Sequence, residues 1–261
     1  MSTDQKTIII ILGPTASGKT LLAIELAQYL QTSIISADSR QCFRELNIGV
    51  AKPSVRELER VHHYFINSHS VTEDVTAHVF EEYALQSAET IFKHNRFAVM
   101  AGGTGLYIKT FCEGLDLIPE VDLTIRKTIS ERYKIYGLQW LQQELFKKDP
   151  AFWAVAERQN PQRLMRALEV LLSTGQSITA FRQSKTKQRP FNIIKLGIEI
   201  SKEQLHKNID QRLDAMIREG LAEEVAGLRP YEQLNALQTV GYKELFDSMH
   251  KKITQEEAYN K

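Results

Sequence analysis

The sequence is poor in cysteine, in long apolar runs and in any excess of one charge. Its two cysteines, Cys42 and Cys112, stand far apart with no metal-ligand spacing. That excludes a disulfide framework or a cysteine-built metal site, and predicts two reduced, buried thiols in a cytoplasmic protein. No apolar run reaches the length of a membrane span, and the N-terminal MSTDQK lacks the cationic segment of a secretory signal. There are no internal repeats and no low-complexity tract. Lys and Arg number 33 against 32 Asp and Glu, a formal net charge of +1. Without a global basic field, any nucleic-acid site has to be local. The remaining composition, 43 % hydrophobic and 25 % charged over 261 residues, allows one large domain or a domain with an insertion.

The first positive signal is GPTASGKT at residues 13–20. Gly13, Gly18, Lys19 and Thr20 fill the pattern G-x-x-x-x-G-K-[ST]. An apolar run, TIIIIL, precedes it and a helical pattern, LLAIELAQYL, follows it. That strand–loop–helix context is what a phosphate-binding P-loop requires. Backbone N–H groups at the helix N-terminus favour an anion, and Lys19 adds a full charge. Thr20 is placed to hold a Mg²⁺ ion or a phosphate oxygen. The loop predicts a phosphate site but does not choose a reaction.

Strand patterns recur at residues 7–13, 33–38, 62–66, 97–102 and 191–200. Such near-continuous apolar runs predict a parallel sheet covered on both faces. Phe80, Tyr83, Ala84, Ala88 and Ile91 lie at helical spacing between the third and fourth, as a crossover helix does. The class is α/β, a P-loop NTPase-like doubly wound parallel sheet. The alternation then breaks. VDLTIRKTISERYKIY, LQWLQQELFKK, PAFWAVAER and PQRLMRALEVLLSTG all carry helical periodicity, with Asn160-Pro161 as a start and Gly175 as a stop. We therefore expect residues 1–118 and 190–261 to form the catalytic core and 119–189 an all-helical insertion. Beyond it, Ser201 starts a helix that Gly220 ends.

Three further stretches carry chemistry. In SADSRQ, Asp38 ends a strand at the carboxyl edge, where open α/β sheets build their sites. It suits a metal-binding carboxylate, a general base or a helix cap, with Arg40 near enough to pair with it or with a phosphate. In AGGTGLY, the glycines let the backbone approach a ligand, and Thr104 offers a hydroxyl to a ligand or a cap for the next helix. From residue 158 to 189 the bases Arg158, Arg163, Arg166, Arg182, Lys185, Lys187 and Arg189 face one acid, Glu169. Such an excess fits phosphate contacts or a solvated face equally. Arg212 flanks an apolar helical stripe and is a second cation available to a pyrophosphate, if the fold brings it to the loop.

Together these stretches resemble one family. GPTASGKT, ISADSRQCFRELNIGVAKPS, AGGTGLY, NPQRLMRALEVL, and the GLAEEV and VGYKEL blocks are similar to tRNA dimethylallyltransferases, from about residue 7 to 250 and in the family's order. The resemblance implies transfer of a dimethylallyl group from dimethylallyl diphosphate to the exocyclic N6 amine of adenosine at tRNA position 37, with release of diphosphate. Gly13, Pro14, Thr15, Ala16, Ser17, Gly18, Lys19 and Thr20 would then hold the donor diphosphate with Mg²⁺ at Thr20. Asp38 would be the general base, and Thr104 and Arg212 would complete the catalytic set. Asp38, Ser39, Arg40, Gln41, Thr104, Arg126, Gln162, Arg163, Leu164, Met165 and Arg166 would contact the tRNA, whose anticodon stem-loop the insertion grips. The protein would act without a membrane and, by default, as a monomer.

The sequence departs from the family's pattern in places. Val61 precedes His62 and His63 where proline is usual, Ile66 replaces an acid, and Asn208 replaces a frequent arginine. The chain ends at EEAYNK, where the family usually continues with a basic helix; this bears on tRNA affinity. Three other readings stay open: an isopentenyltransferase acting on free adenine nucleotides, a P-loop kinase or hydrolase, and a non-catalytic tRNA-binding module. FAVMAGG ends without the acid a Walker-B strand would supply, though SIISAD offers one in Asp38.

Overall fold

Among the described residues, five short strands make one sheet in the order β3-β2-β4-β1-β5, with every pairing parallel. They are β1 Thr7–Leu12, β2 Ile34–Ser36, β3 His63–Tyr64, β4 Phe97–Ala101 and β5 Asn192–Gly197. The computed structural model describes residues 5–116, 118–182 and 186–260, so Lys185 lies outside the described residues. The helices are α1 Lys19–Tyr29, α2 Val55–Arg60, α3 Ala77–Ile91, α4 Gly105–Glu113, α5 Leu123–Lys148, α6 Pro150–Trp153, α7 Pro161–Thr174, α8 Ile178–Phe181, α9 Lys202–Arg218, α10 Leu221–Gly227, α11 Tyr242–Met249 and α12 Gln255–Tyr259. No helix among the described residues is long and apolar enough to cross a membrane.

The period of two along the strands sorts side chains to the two faces of the sheet. Ile8, Ile10, Ile35 and Met100 join Phe80, Ala84 and Phe111 on the face covered by α3 and α4. Ile11, Ile34 and Val99 join Ala23, Ile24 and Ala27 of α1 on the other. This is the doubly wound arrangement that the apolar runs predict. All five strands are shorter than their patterns, β2, β3 and β5 the most. Phe65 takes a left-handed φ of 63°, which ends β3 after Tyr64. The chain turns at Asp38 to build the site described below, which ends β2. At the sheet edge β5 is exposed, with Ile194 and Leu196 on the surface, so its apolar run does not mark burial on both faces.

The chain divides into two compact units, Met1–Gly114 with Lys187–Lys261, and Leu115–Thr186. The second unit begins and ends slightly before the 119–189 span expected from helical patterning. Its described secondary structure is helical, with a core of Ile129, Leu141, Leu145, Phe152, Leu164, Leu168 and Ile178. Gly137, at φ 68° and ψ −165°, breaks α5 between the two helical patterns read there. α6 is a single turn capped by Asp149, so the helix expected over PAFWAVAER stops at Trp153. Asn160 caps α7 by accepting from Arg163 N, Pro161 occupies its first turn, and Gly175 at φ 72° ends it.

Lys187 and Arg189 belong to the first unit. Lys187 N donates to Glu113 O at 2.9 Å, closing the point where the chain leaves and re-enters that unit. Arg189 donates to Phe111 O at 2.7 Å, Thr110 O at 2.9 Å and the Glu81 carboxylate at 2.6 Å. Both side chains of this ion pair are less than a tenth exposed. Arg189 is therefore a buried structural cation and is not available to a nucleic acid.

Candidate functional site

β1 ends at Leu12 and α1 begins at Lys19, so residues 13–18 form the loop between them. Gly18 sits at φ 86° and Ala16 at φ 59°, two left-handed residues that curl the loop. Lys19 Nζ folds back onto Pro14 O. A side chain at Gly13 would meet Ser17 Oγ at 2.8 Å, so a larger residue where the strand enters the loop would have to displace that hydroxyl. The Ser17 hydroxyl is buried with no partner among the described residues, as a group awaiting a ligand would be. The loop is braced from α9, where Asn208 Nδ2 donates to Ala16 O at 2.9 Å and Gln204 in turn donates to Asn208 at 2.7 Å. The sequence marks Asn208 only as a departure from a pattern. Its bracing role depends on a partner 192 residues away in the chain.

The second element is the turn after β2. Asp38 Oδ1 accepts from Arg40 N at 2.8 Å and Gln41 N at 3.3 Å. Its Oδ2 has no hydrogen-bond partner among the described residues. No helix starts here, so Asp38 orders a turn and does not cap a helix. Thr104 stands at the N-cap position of α4 but makes no capping bond. Its hydroxyl accepts from Ser39 N at 3.0 Å and lies 3.3 Å from Ser39 Oγ, tying AGGTGLY to SADSRQ. Gly102 allows this approach, since a Cβ there would fall 2.2 Å from Ala37 O.

Loop and turn face one cavity of about 260 Å³. Thr15 to Thr20, Asp38 and Gln41 line it, and so does Arg212 from α9. Sequence spacing leaves the reach of Arg212 open, and the fold brings it beside Lys19. Burial lowers the Lys19 pKa, and the positive charge of Arg212 lowers it further. Burial also lowers the pKa of Arg212. Asp38 and Glu57 are the carboxylates on the same cavity, and Glu57 is engaged by Ser54 N and Oγ. Two cations partly withdrawn from water favour a multiply charged anion between them. His63, absent from the candidate residues above, lines the cavity too. Its Nδ1 donates to Val61 O at 2.8 Å and burial lowers its pKa, so a neutral ring keeps Nε2 as an acceptor. Arg40 turns elsewhere: its guanidinium donates to Asn235 O at 3.0 Å and pairs with neither Asp38 nor the loop.

On the second unit, the basic run is less free than its count. Arg163 pairs with Glu157, one residue before the run begins. Arg166 and Arg126 flank the same carboxylate, Glu169, at 3.4 and 3.5 Å. Arg158 lies over the Trp153 ring at 4.6 Å. Gln162 and Arg163 are exposed on the first turn of α7, Met165 is half-buried and Leu164 is core. Leu164 therefore shapes the helix face without itself reaching outward. Cys42 and Cys112 are both buried and unpaired, with Cys42 pushed up to about 12 by burial.

Strand, loop and helix in this order, at the carboxyl edge of a parallel sheet, make the core a P-loop protein. Comparison with known proteins narrows the class. Residues 41–261 match the family described as IPP transferase. The tRNA dimethylallyltransferase of Cytophaga hutchinsonii is 41 % identical over 246 residues, 94 % of this chain and 81 % of that one. That of Christiangramia forsetii is 44 % identical over 239 residues, 92 % of this chain and 79 % of the other. The solved tRNA isopentenylpyrophosphate transferase of Bacillus halodurans matches at a TM-score of 0.68 and 31 % identity, over 98 % of this chain and 81 % of that one. A eukaryotic dimethylallyltransferase, 24 % identical and matched over 98 % of this chain and 65 % of that one, shares the fold with a TM-score of 0.78. The chain belongs to the IPP transferase family, among its tRNA dimethylallyltransferases.

Proposed function

We propose that this protein transfers the dimethylallyl group of dimethylallyl diphosphate to the N6 amine of adenosine 37 in tRNA, in the cytoplasm. The observation that carries the reading is the convergence of Lys19, Arg212 and Asp38 on one cavity, in a chain of this family. An exocyclic adenine amine is a weak nucleophile, so the site has to stabilise the leaving group and remove a proton. The loop N–H groups, Lys19 and Arg212 bind the diphosphate and stabilise the charge that builds as the C1–O bond breaks. The amine nitrogen forms the new bond to C1, the C1–O electron pair leaves with diphosphate, and Asp38 takes the amine proton. Oδ1 accepts from two backbone N–H groups, so in this reading the proton goes to Oδ2. Thr104 is not among the residues that line the cavity and acts by holding the turn that carries Asp38, through Ser39.

Thr20 and Asp38 offer hard oxygen donors on the cavity and Ser17 an unpartnered hydroxyl, a donor set that fits Mg²⁺. Thr20 would hold the ion together with diphosphate oxygens, and the ion would neutralise leaving-group charge. The adenine has to leave its stack to reach Asp38, which requires a second grip on the RNA. We assign that grip to the anticodon stem-loop, held by the helical unit through Arg126, Gln162, Arg163 and Arg166, with Ser39, Arg40 and Gln41 contacting the RNA on the first unit.

The test offers labelled dimethylallyl diphosphate and Mg²⁺ to unmodified tRNA and to AMP in parallel. Label in tRNA is the expected result. Label in AMP alone, or ATP turnover with label in neither, overturns the reading.

A further inference from the structure

The GLAEEV and VGYKEL blocks contribute nothing to the cavity lining, yet both converge on a third block, NIGVAKP. Glu224, on α10, accepts four hydrogen bonds. Its Oε2 takes Asn47 N at 3.1 Å and Ile48 N at 2.8 Å. Its Oε1 takes Gly49 N at 3.1 Å and the Tyr242 hydroxyl at 2.5 Å. Tyr242, from α11, is fully buried, and a Cβ on Gly49 would lie 2.5 Å from its ring. The gripped residues lead straight into Val50, Ala51 and Pro53, which line the cavity. The carbonyls of Val50 and Ala51 accept from Gln41 Nε2 at 3.2 and 3.0 Å, and Gln41 N donates to Asp38 Oδ1. A path of hydrogen bonds and covalent backbone thus runs from Glu224 through residues 49–51 and Gln41 to the Asp38 carboxylate.

We infer that Glu224, seconded by Tyr242, is a positioning residue: it fixes the cavity wall at residues 50–53 and, through Gln41, the orientation of Asp38. The inference rests on the prenyl-transfer reading of the same site. The chemistry needs a carboxylate. Four donors meet two oxygens, and an amide would turn its own N–H₂ against two of them. Glu224 touches neither the P-loop nor Arg212, so its effect falls on the acceptor side of the reaction.

The experiment compares wild type, Glu224→Gln and Tyr242→Phe in steady-state transfer to tRNA, with hydrogen exchange of the Asn47, Ile48 and Gly49 amides read alongside. Misplacement of a catalytic group by about 1 Å can cost on the order of 100-fold, so we expect kcat of Glu224→Gln to fall by about 10- to 100-fold. The KM for dimethylallyl diphosphate should stay within about twofold, because none of the clamp's hydrogen bonds is made to Lys19, Arg212 or the P-loop, the groups assigned to the diphosphate. Tyr242→Phe keeps all three amide bonds and should lose only a few-fold in kcat; it carries the test if Glu224→Gln does not fold. Exchange at the three amides should quicken in Glu224→Gln. Unchanged exchange overturns the clamp. Faster exchange with wild-type kcat overturns the positioning role, as does a donor KM that rises in step with the fall in kcat. If wild type labels no tRNA, the prenyl-transfer reading fails on its own, and the exchange measurement still decides the clamp.

Discussion

Replacing Asp38 in two ways separates its two jobs. One oxygen organises a turn and the other is assigned to the proton. Asn presents the same Oδ1 acceptor to Arg40 N and Gln41 N but cannot take a proton, so Asp38→Asn removes the base and keeps the turn. Loss of a general base costs about 10²–10⁴-fold in rate. Ala removes both. Losing two charge-assisted hydrogen bonds at a half-buried turn adds about 1–3 kcal/mol of destabilisation. For a chain of this size that lowers Tm by roughly 2–12 °C. The assay is single-turnover label transfer at saturating substrate, with a thermal melt of each variant and a tRNA-binding measurement. Both variants should fall by about 10²–10⁴ in rate while still binding tRNA, and only Asp38→Ala should melt early. A wild-type rate in Asp38→Asn would remove Asp38 from proton transfer. Equal melting losses in both variants would show that the turn depends on charge and not on the acceptor geometry argued here.

Three further outcomes follow from the geometry. Arg163→Ala with Arg166→Ala should weaken tRNA binding and reduce the salt slope by up to about 1.4–1.8; an unchanged slope in a filter-binding series would remove the helical unit from the RNA grip. Gly102→Ala forces a Cβ to 2.2 Å from the Ala37 carbonyl, a backbone atom unable to step aside, and should cost about 1–3 kcal/mol in a denaturant melt; wild-type stability would contradict the close approach. Burial disfavours the Lys52 ammonium and lowers its pKa to about 8, so the neutral amine appears at lower pH than on other lysines. Its acylation, followed by peptide mass mapping, should be half-maximal near pH 8, and a profile matching an exposed lysine would refute the shift.

The features legible in the sequence are the contiguous ones. GPTASGKT encodes its own strand, loop and helix, so the P-loop and the sheet class follow from local pattern alone. Asp38 and Thr104 are legible because each follows a strand on the carboxyl edge. Local spacing suggests a cap for the Thr104 hydroxyl, because its actual partner, Ser39, lies 65 residues away. Arg212 and Asn208 face the loop on adjacent turns of α9, which spacing permits but does not require. The basic run illustrates the limit of counting. Glu157 falls one residue outside it, Glu169 serves two arginines, and Arg189 is buried against Glu81. A count of charges yields their sum, and only tertiary packing shows which cations remain exposed. The apolar pattern overstates β3 because Phe65 carries a left-handed φ that its neighbours do not signal.

The bond between Lys187 N and Glu113 O joins the chain's exit from the first unit to its return. The excursion Leu115–Thr186 is therefore a loop whose mouth is already shut by the body it leaves. Closing a longer or shorter loop between fixed ends changes the entropy only logarithmically with length. Whatever the helical unit gains, loses or exchanges over evolutionary time, the sheet meets the same two neighbouring ends, held by Arg189 and Glu81. In this sense the length and content of the excursion are decoupled from the two ends that the first unit fixes.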